Sequence, residues 1–155
     1  MKVRLCTVSH RQPDWVVEGS RDYERRLPRP WNFELIEIRP EPRRNDAETA
    51  RVQAVEAERL RAALPRGARV VAFDERGEAW TTAQFAARFE RWLAEGRDLA
   101  FVIGGADGLD PGFRDAADHR LALSALTLPH GLVRVLVVEQ LYRTASLLQG
   151  HPYHR

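Results

Sequence analysis

Apolar positions along the chain follow two alternating periods, which predict strands and helices in turn. Short apolar or alternating runs are typical of strands, whereas apolar residues repeated every three or four positions indicate helices. The predicted strands cover residues 3–8, 33–38, 69–74, 99–103 and 121–123. The predicted helices cover residues 14–27, 45–64, 81–95, 111–117 and 130–148. This order favours an α/β fold with a mostly parallel sheet.

Polar residues and glycines mark several predicted boundaries. Asn45 is followed three residues later by Glu48, and Thr81 by Gln84, which is the spacing of a capping box at a helix start. A turn around Gly77 is expected to end the third strand. These signals predict helices that begin at residues 45 and 81.

The last predicted helix is apolar on nearly every side in its first half, over residues 132–138. A helix of this kind must be buried on several sides. A monomer of 155 residues has little room to enclose it. We therefore expect this helix to lie in a homodimer interface.

The composition indicates one domain over residues 1–155, with 44% hydrophobic and 30% charged residues. No apolar run approaches the ~20 residues of a membrane span. The N-terminus enters the first strand directly, unlike a signal peptide. The single cysteine, Cys6, excludes an internal disulfide and is expected to be a small buried residue in a cytoplasmic protein.

The net charge is only +2, which is weak evidence for nucleic-acid binding. The chain has 24 lysine and arginine residues, and Lys2 is the one lysine among them. The other 23 are arginines. Arginine suits phosphate and base recognition because its guanidinium is planar. The segment from residue 131 to residue 155 is mildly basic.

Two segments near the C-terminus suggest a ligand site. Gly104, Gly105 and Gly108 follow the fourth strand, and the segment 123–130 follows the fifth. Glycines allow a ligand to approach the backbone closely, and small residues leave peptide groups free to bind a base. Neither a phosphate-binding lysine nor a nucleophile–base pair lies nearby, so an adenosine-type cofactor is favoured over hydrolysis. The glycines alone would also fit an ordinary turn.

Four separated segments, in the same order, resemble one protein family. They are residues 102–109, 123–130, 138–143 and 151–155. The chain resembles the ribosomal large-subunit methyltransferase H family, whose members are small SPOUT-class methyltransferases. The resemblance implies a mostly parallel sheet with helices on both faces, a C-terminal trefoil knot and a homodimer. Such a knot is rare among protein folds.

The same resemblance implies that S-adenosylmethionine methylates N3 of a pseudouridine. The implied target lies in the helix 69 stem-loop of 23S ribosomal RNA. Phe73 stands where the family more usually has leucine. The phenyl ring is larger than a leucine side chain, and it keeps this wall of the site apolar. The residues expected around the cofactor are Phe73, Gly104, Gly105, Ser124, Ala125, Leu126, Thr127, Leu128 and Pro129.

Methylation at N3 requires removal of a proton that the base carries at neutral pH, so a general base is expected. His154 and Glu139 are the candidates for this role. The expected catalytic residues are His154, Glu139, Tyr153 and Arg143, and the expected RNA contacts are His130, Arg134 and Arg155. No metal is expected, since His151 and His154 lack a third ligand.

Three alternatives remain open. The chain could be a non-catalytic RNA- or ribosome-binding module with the same knotted fold, or a SPOUT methyltransferase with a different RNA target. A nucleotide-binding α/β protein is a third, although the glycine turn lacks the dinucleotide-binding spacing. Without an appended RNA-binding module, the enzyme is expected to find its target by shape and to need the assembled ribosome.

Overall fold

The computed structural model describes residues 1–154, apart from the side chain of His154. Five strands form one all-parallel sheet in the order β2-β1-β4-β3-β5. The strands are β1 Val3–Val8, β2 Glu34–Ile38, β3 Arg69–Ala79, β4 Leu99–Ile103 and β5 His119–Ala122. The helices are α1 Asp14–Glu24, α2 Thr49–Ala63, α3 Thr82–Glu95, α4 Pro111–Ala116 and α5 His130–Leu148. The predicted α/β class is confirmed.

Helices cover both faces of the sheet, so its central strands are buried on both sides. On one face, Leu5 and Phe101 pack under α3 and α5, and α1 lies against α5. The rings of Phe89 on α3 and Phe101 stack nearly parallel, with centroids 6.2 Å apart. On the other face, Cys6 and Val102 pack under α2 and α4. Burial raises the pKa of the Cys6 thiol to about 11, as suits a structural cysteine.

The capping box predicted at Thr81 is confirmed. The Thr81 hydroxyl accepts from the Gln84 N–H at 3.1 Å, and the Gln84 side chain accepts from the Thr81 N–H at 2.9 Å. These two bonds satisfy donors that the first turn of α3 leaves free.

The helix start predicted at Asn45 is wrong. The Asn45 side chain accepts from the Ala47 N–H at 3.0 Å, two residues on. The Glu48 carboxylate accepts from the Arg44 N–H instead of closing a capping box with Asn45. These bonds build a short 3₁₀ turn at Asp46–Glu48, and α2 begins only at Thr49.

The third strand does not end at Gly77, contrary to prediction. It continues to Ala79 and pairs with β5 on both sides of a register shift between Phe73 and Glu78. A Cβ atom on Gly77 would lie 2.7 Å from the carbonyl carbon of Arg120. Gly77 therefore permits a close approach of two backbones, and it does not form a chain-reversing turn.

Two other boundaries differ by two or three residues from the expected ones, and several more differ by one residue. α1 ends at Glu24, because the chain turns toward Pro28 three residues earlier than predicted. β5 begins at His119, two residues before its expected start, and α4 ends at Ala116. Element ends are the part of a fold that local pattern specifies least.

Helix α5 runs from His130 to Leu148 as predicted and is followed by Gly150 with a φ of 73°. Its core side is buried at Val137 and Leu141, among others. Over residues 132–136 the apolar side chains are only half-buried in the protomer. Within the described part of the chain, no helix combines the length and the apolar character needed to cross a membrane, and no cluster of three or more described His, Cys, Asp or Glu side chains is arranged to bind a metal.

Candidate active site

The carboxyl ends of β3, β4 and β5 bring the two candidate ligand segments to one edge of the sheet. Phe73 lies in register with Ile103 on one side and with Leu121 on the other. The glycine turn, residues 104–108, directly follows β4, and the apolar segment, residues 123–129, follows β5. In parallel α/β sheets this edge is where ligands bind.

The glycine turn has no room for side chains at its first two positions. A Cβ atom on Gly104 would lie 2.9 Å from Cγ of Leu109. A Cβ atom on Gly105 would lie 2.9 Å from Oε1 of Glu56. The Gly108 N–H donates to the Gly105 carbonyl at 3.0 Å, and Gly108 has a φ of 79°. The turn is therefore compact, and its first two positions require glycine because neighbouring atoms of the protein fill the space of a Cβ atom.

His130, the first residue of α5, ties that helix to the glycine turn. Its Nε2 lies 2.7 Å from the Gly104 carbonyl oxygen. Burial lowers the pKa of His130, the Gly104 hydrogen bond acts in the opposite direction, and Arg134 lowers it further. A neutral ring that donates from Nε2 satisfies this geometry, and its buried Nδ1 has no partner among the described residues. The ring predicted to contact RNA is thus engaged inside the protein.

The apolar segment after β5 has exposed and largely unbonded backbone. The Ser124 hydroxyl accepts from the Leu126 N–H at 2.9 Å. From 124 to 128, no residue forms a backbone–backbone hydrogen bond with any other described residue. Leu126 is 75% exposed, and Ala125 and Thr127 are exposed beside it. Free peptide groups next to an exposed apolar side chain suit backbone recognition of a partly apolar ligand.

A cavity of about 200 Å³ lies between the ends of β3 and β5 and the helices α3 and α5. Phe73 and Leu123 form part of its wall. Its polar wall is formed by Thr82 and Gln140, where the Thr82 hydroxyl donates to Gln140 Oε1 at 2.9 Å. Gly104 and Gly105 do not line this cavity. It is smaller than the roughly 300–1,000 Å³ usual for drug-sized ligands, so a large cofactor would extend out of it.

Glu139 is the centre of a second polar cluster, which we call the Glu139 cluster and which includes Gln140, Tyr142, Arg143 and Tyr153. Glu139 Oε1 accepts from Arg143 Nε at 2.9 Å, and it lies 2.6 Å from Arg143 Nη2. The same oxygen accepts from the Tyr153 hydroxyl at 3.2 Å, and Oε2 accepts from Gln140 Nε2 at 2.7 Å. The Tyr153 ring packs edge-on against Tyr142, 4.5 Å between centroids.

This cluster holds three of the four expected catalytic residues together: Glu139, Arg143 and Tyr153. Burial raises the pKa of Tyr153, as do its hydrogen bond with Tyr23 and the nearby Glu139 carboxylate. The hydrogen bond to Glu139 raises the pKa of Arg143. Glu139 therefore faces four donor atoms, which leaves little room to accept a proton from a substrate. The side chain of His154, the fourth expected residue, lies outside the described residues.

Arg134 has a different environment from that predicted for an RNA contact. It is 2% exposed, with Nη2 at 2.9 Å from the Ser9 hydroxyl and 3.3 Å from Glu37 Oε2. The guanidinium is enclosed within the protomer and is not presented to solvent. Arg155, another expected RNA contact, lies outside the described residues.

Gln140 is a candidate that the sequence reasoning missed. It lines the 200 Å³ cavity and also donates to Glu139, so it connects the cavity to the Glu139 cluster. One feature of the sequence could have indicated Gln140: it is a polar residue in an apolar helix, directly after Glu139. Nothing local indicated that it would face Thr82 on another helix.

Comparison of this chain with known families and proteins gives matches that span nearly its whole length. The family described as "predicted SPOUT methyltransferase" matches residues 1–154. Ribosomal RNA large subunit methyltransferase H of Nitrosospira multiformis is 54% identical over 155 residues, covering 100% of this chain and 99% of that protein. The protein of the same name from Burkholderia vietnamiensis is 51% identical with the same coverage. A probable methyltransferase from Bordetella pertussis Tohama I has the same fold, with a TM-score of 0.57, 18% identity and 92% and 95% coverage of this chain and of that one.

The family match, with the parallel sheet described above, defines the class of the protein as a methyltransferase of the SPOUT fold. The chain belongs to the SPOUT methyltransferase family and, within it, to the ribosomal RNA large subunit methyltransferase H family. The predicted fold class and family are confirmed, and the trefoil knot is a property that the family implies.

Proposed function

We propose that this protein transfers a methyl group from S-adenosylmethionine to N3 of a pseudouridine in the helix 69 stem-loop of 23S ribosomal RNA. The full-length relatives are named as ribosomal RNA large subunit methyltransferases, which supports a target in that RNA. The structural observation that carries the proposal is the exposed and largely unbonded backbone of residues 124–128, which follows β5 directly after the cavity residue Leu123.

The residues at this edge fit an adenosine-containing methyl donor. Phe73 offers an apolar wall, and the free peptide groups of residues 124–128 can bind the edge of a base and ribose hydroxyls. Gly104 and Gly105 are proposed to border the donor, as the resemblance to the family implies, and their lack of side chains lets the turn pack against Leu109 and Glu56. When bound, S-adenosylmethionine supplies an electrophilic methyl group on a sulfonium. The protein's contribution to the rate is to align the donor and the RNA base for in-line transfer.

Removal of the N3 proton is assigned to His154 in this proposal. Glu139 is already engaged by Arg143, Gln140 and Tyr153, so it serves better to orient those groups than to accept a proton. Arg143 and Tyr153, held in this way, contact the target nucleotide. Arg155 is proposed to bind RNA phosphate. Arg134 is buried and has no place in this surface.

We also propose that the enzyme is a cytoplasmic homodimer. Helix α5 leaves apolar side chains half-buried over residues 132–136, and α1, which packs against α5, exposes 57% of Trp15. A second copy would cover this apolar surface. In such a dimer, the C-terminal residues of one subunit complete the site of the other. The mass in solution, measured by light scattering, tests the dimer.

The direct test is transfer of a labelled methyl group from S-adenosylmethionine to ribosomes from a strain that lacks this protein. The modified nucleotide is mapped by mass spectrometry. We expect label on N3 of the helix 69 pseudouridine, with ribosomes methylated faster than naked 23S RNA. Label at another nucleotide would indicate a different RNA target. Donor binding without transfer to any ribosomal RNA would favour a non-catalytic RNA-binding module.

A further inference from the structure

The outer side of the glycine turn is held by residues that precede or lie on α2. Gln53 Nε2 donates to the Asp107 carbonyl at 2.7 Å, across 54 residues of sequence. The Arg43 guanidinium pairs with the Asp107 carboxylate. The carbonyl and the carboxylate of Asp107 are therefore both engaged by residues that precede or lie on α2, which restrains the turn at Asp107.

The turn has few other restraints. Gly108 bonds back to Gly105 within the turn, and His130 contacts the Gly104 carbonyl. Residues 106–108 make no pairing with the strands of the sheet. The contacts to Asp107 thus hold the half of the turn that the sheet does not hold.

The Arg43 guanidinium also contacts two residues other than Asp107. Its Nη2 lies 3.7 Å from Asp46 Oδ1, and its Nη1 lies 3.5 Å from the Thr49 hydroxyl. Below the turn, Glu56 is buried against Gly105 and accepts from the Glu41 N–H at 3.0 Å. The segment before α2 and α2 itself are therefore linked by hydrogen bonds and ion pairs along one side of the glycine turn. We call this side, residues 41–56, the α2 wall.

We infer that Gln53 and Arg43 are positioning residues for the methyl-donor site, acting through Asp107 on the glycine turn. The inference rests on the proposed function, because it takes Gly104 and Gly105 to border the donor. Neither residue needs to touch the donor. A turn that is already held in its binding conformation loses less freedom when the donor binds, so restraint of the turn is expected to tighten donor binding.

A purely structural role would have different consequences. Arg43 is exposed, and exposed ion pairs contribute little to folding stability. Arg51 provides a matched control, since it also pairs with acidic groups of the α2 wall, Glu41 and Glu48, at 3.2 and 3.4 Å. The hydrogen bonds and ion pairs of Arg51 do not include the glycine turn among the described residues.

The test uses the full chain with Gln53→Met, Arg43→Met and, as control, Arg51→Met. Titration calorimetry with S-adenosylmethionine and S-adenosylhomocysteine gives the Kd of each variant. Methyl transfer to ribosomes gives kcat and the KM for the donor. We expect Gln53→Met and Arg43→Met to raise the donor Kd and KM by about threefold to tenfold, the range of one lost hydrogen bond. We expect kcat at saturating donor and the melting temperature to change little, and Arg51→Met to resemble the wild type.

A double-mutant cycle with Asp107→Asn sharpens the test. If Arg43 acts through Asp107, Arg43→Met adds less than twofold to the donor Kd once Asp107 is asparagine. If the wild type binds the donor and the Kd values of Gln53→Met and Arg43→Met both lie within twofold of the wild-type value, the inference is overturned. The proposed function is then left intact. An equal loss in Arg51→Met would also overturn it. A wild-type protein that binds neither donor nor product would overturn the proposed function, and the inference with it.

Discussion

The two halves of helix α5 each contain an arginine paired with a glutamate, yet the two pairs are buried in opposite ways. In the first half, Arg134 is 2% exposed and its partner Glu37 is 52% exposed. In the second half, Arg143 is 29% exposed and its partner Glu139 is 12% exposed. The cation is enclosed in one pair, whereas the carboxylate is enclosed in the other.

This difference indicates distinct roles for chemically similar pairs. A buried guanidinium contributes through its packing as well as its charge, and it cannot reach a ligand. A guanidinium oriented by a buried carboxylate remains accessible and keeps its planar geometry, which suits recognition of a base or phosphate. We therefore interpret Arg134 as structural and Arg143 as functional.

The largest expected effect is on stability, from Arg134→Ala. Removal of this buried side chain should lower the free energy of unfolding by about 3 kcal/mol, because it leaves a cavity and an unpaired Ser9 hydroxyl. Urea denaturation measures the change. Arg134→Met is the control, since it fills most of the volume without charge and should recover much of the loss. An Arg134→Ala protein of wild-type stability would refute the structural interpretation.

At the other end of α5, Arg143→Lys should act on the reaction. Lysine keeps the charge but loses the planar pair of donors to Glu139, so methyl transfer to ribosomes should fall by about tenfold. The free energy of unfolding should change by less than about 1 kcal/mol, because Glu139 retains a cation and its other donors. A large loss of stability with unchanged transfer would reverse the comparison between the two arginines.

A smaller effect is expected from Tyr153→Phe. This change removes the hydroxyl that donates to Glu139 and keeps the ring packed on Tyr142. One lost hydrogen bond predicts a fall in kcat/KM of roughly threefold. Tyr153→Ala, which also removes the ring, should cost more. Equal rates for the wild type and both variants would exclude Tyr153 from the site.

The smallest effect is a pH dependence at the start of α5. Burial lowers the pKa of His130 below its ordinary value of 6.5, so the folded state favours the neutral ring. The unfolded chain binds the proton more readily, and the stabilisation present above pH 6.5 is lost as pH falls toward the folded-state pKa. Urea midpoints between pH 7.5 and pH 5.5, in about half-unit steps, should show a weaker decline in His130→Gln than in the wild type. Burial lowers the pKa of His119 in the same direction, so some decline should remain.

Much of the fold could be predicted because its determinants are local. The five strands and five helices follow from hydrophobic period, and the cap at Thr81 follows from side chains three residues apart. The error at Asn45 arose between two local structures that the same side chain can cap, whereas the error at Gly77 arose from a contact with a distant strand. Asn45 closes a 3₁₀ turn, and Gly77 accommodates the backbone of β5.

The candidate site was predictable in part. The glycine turn and the segment after β5 stand out in sequence, and parallel strands bring them to one edge. The resemblance to the family supplied Glu139, Arg143 and Tyr153, which the structure places in contact. Gln140 and Gln53 were missed because Thr82 and Asp107, which they contact, lie on distant elements, and no spacing rule connects them.

By itself, the sequence determined the order and type of the elements, the two apolar faces of the sheet and the place of the glycine turn after β4. These depend on side-chain period and on the size of single residues, which are read locally. Only the tertiary structure decided that Arg134 is enclosed while Arg143 is accessible, and that Gln53 reaches Asp107. Burial and long-range hydrogen bonds depend on which elements pack together, so they emerge only when the whole chain is folded.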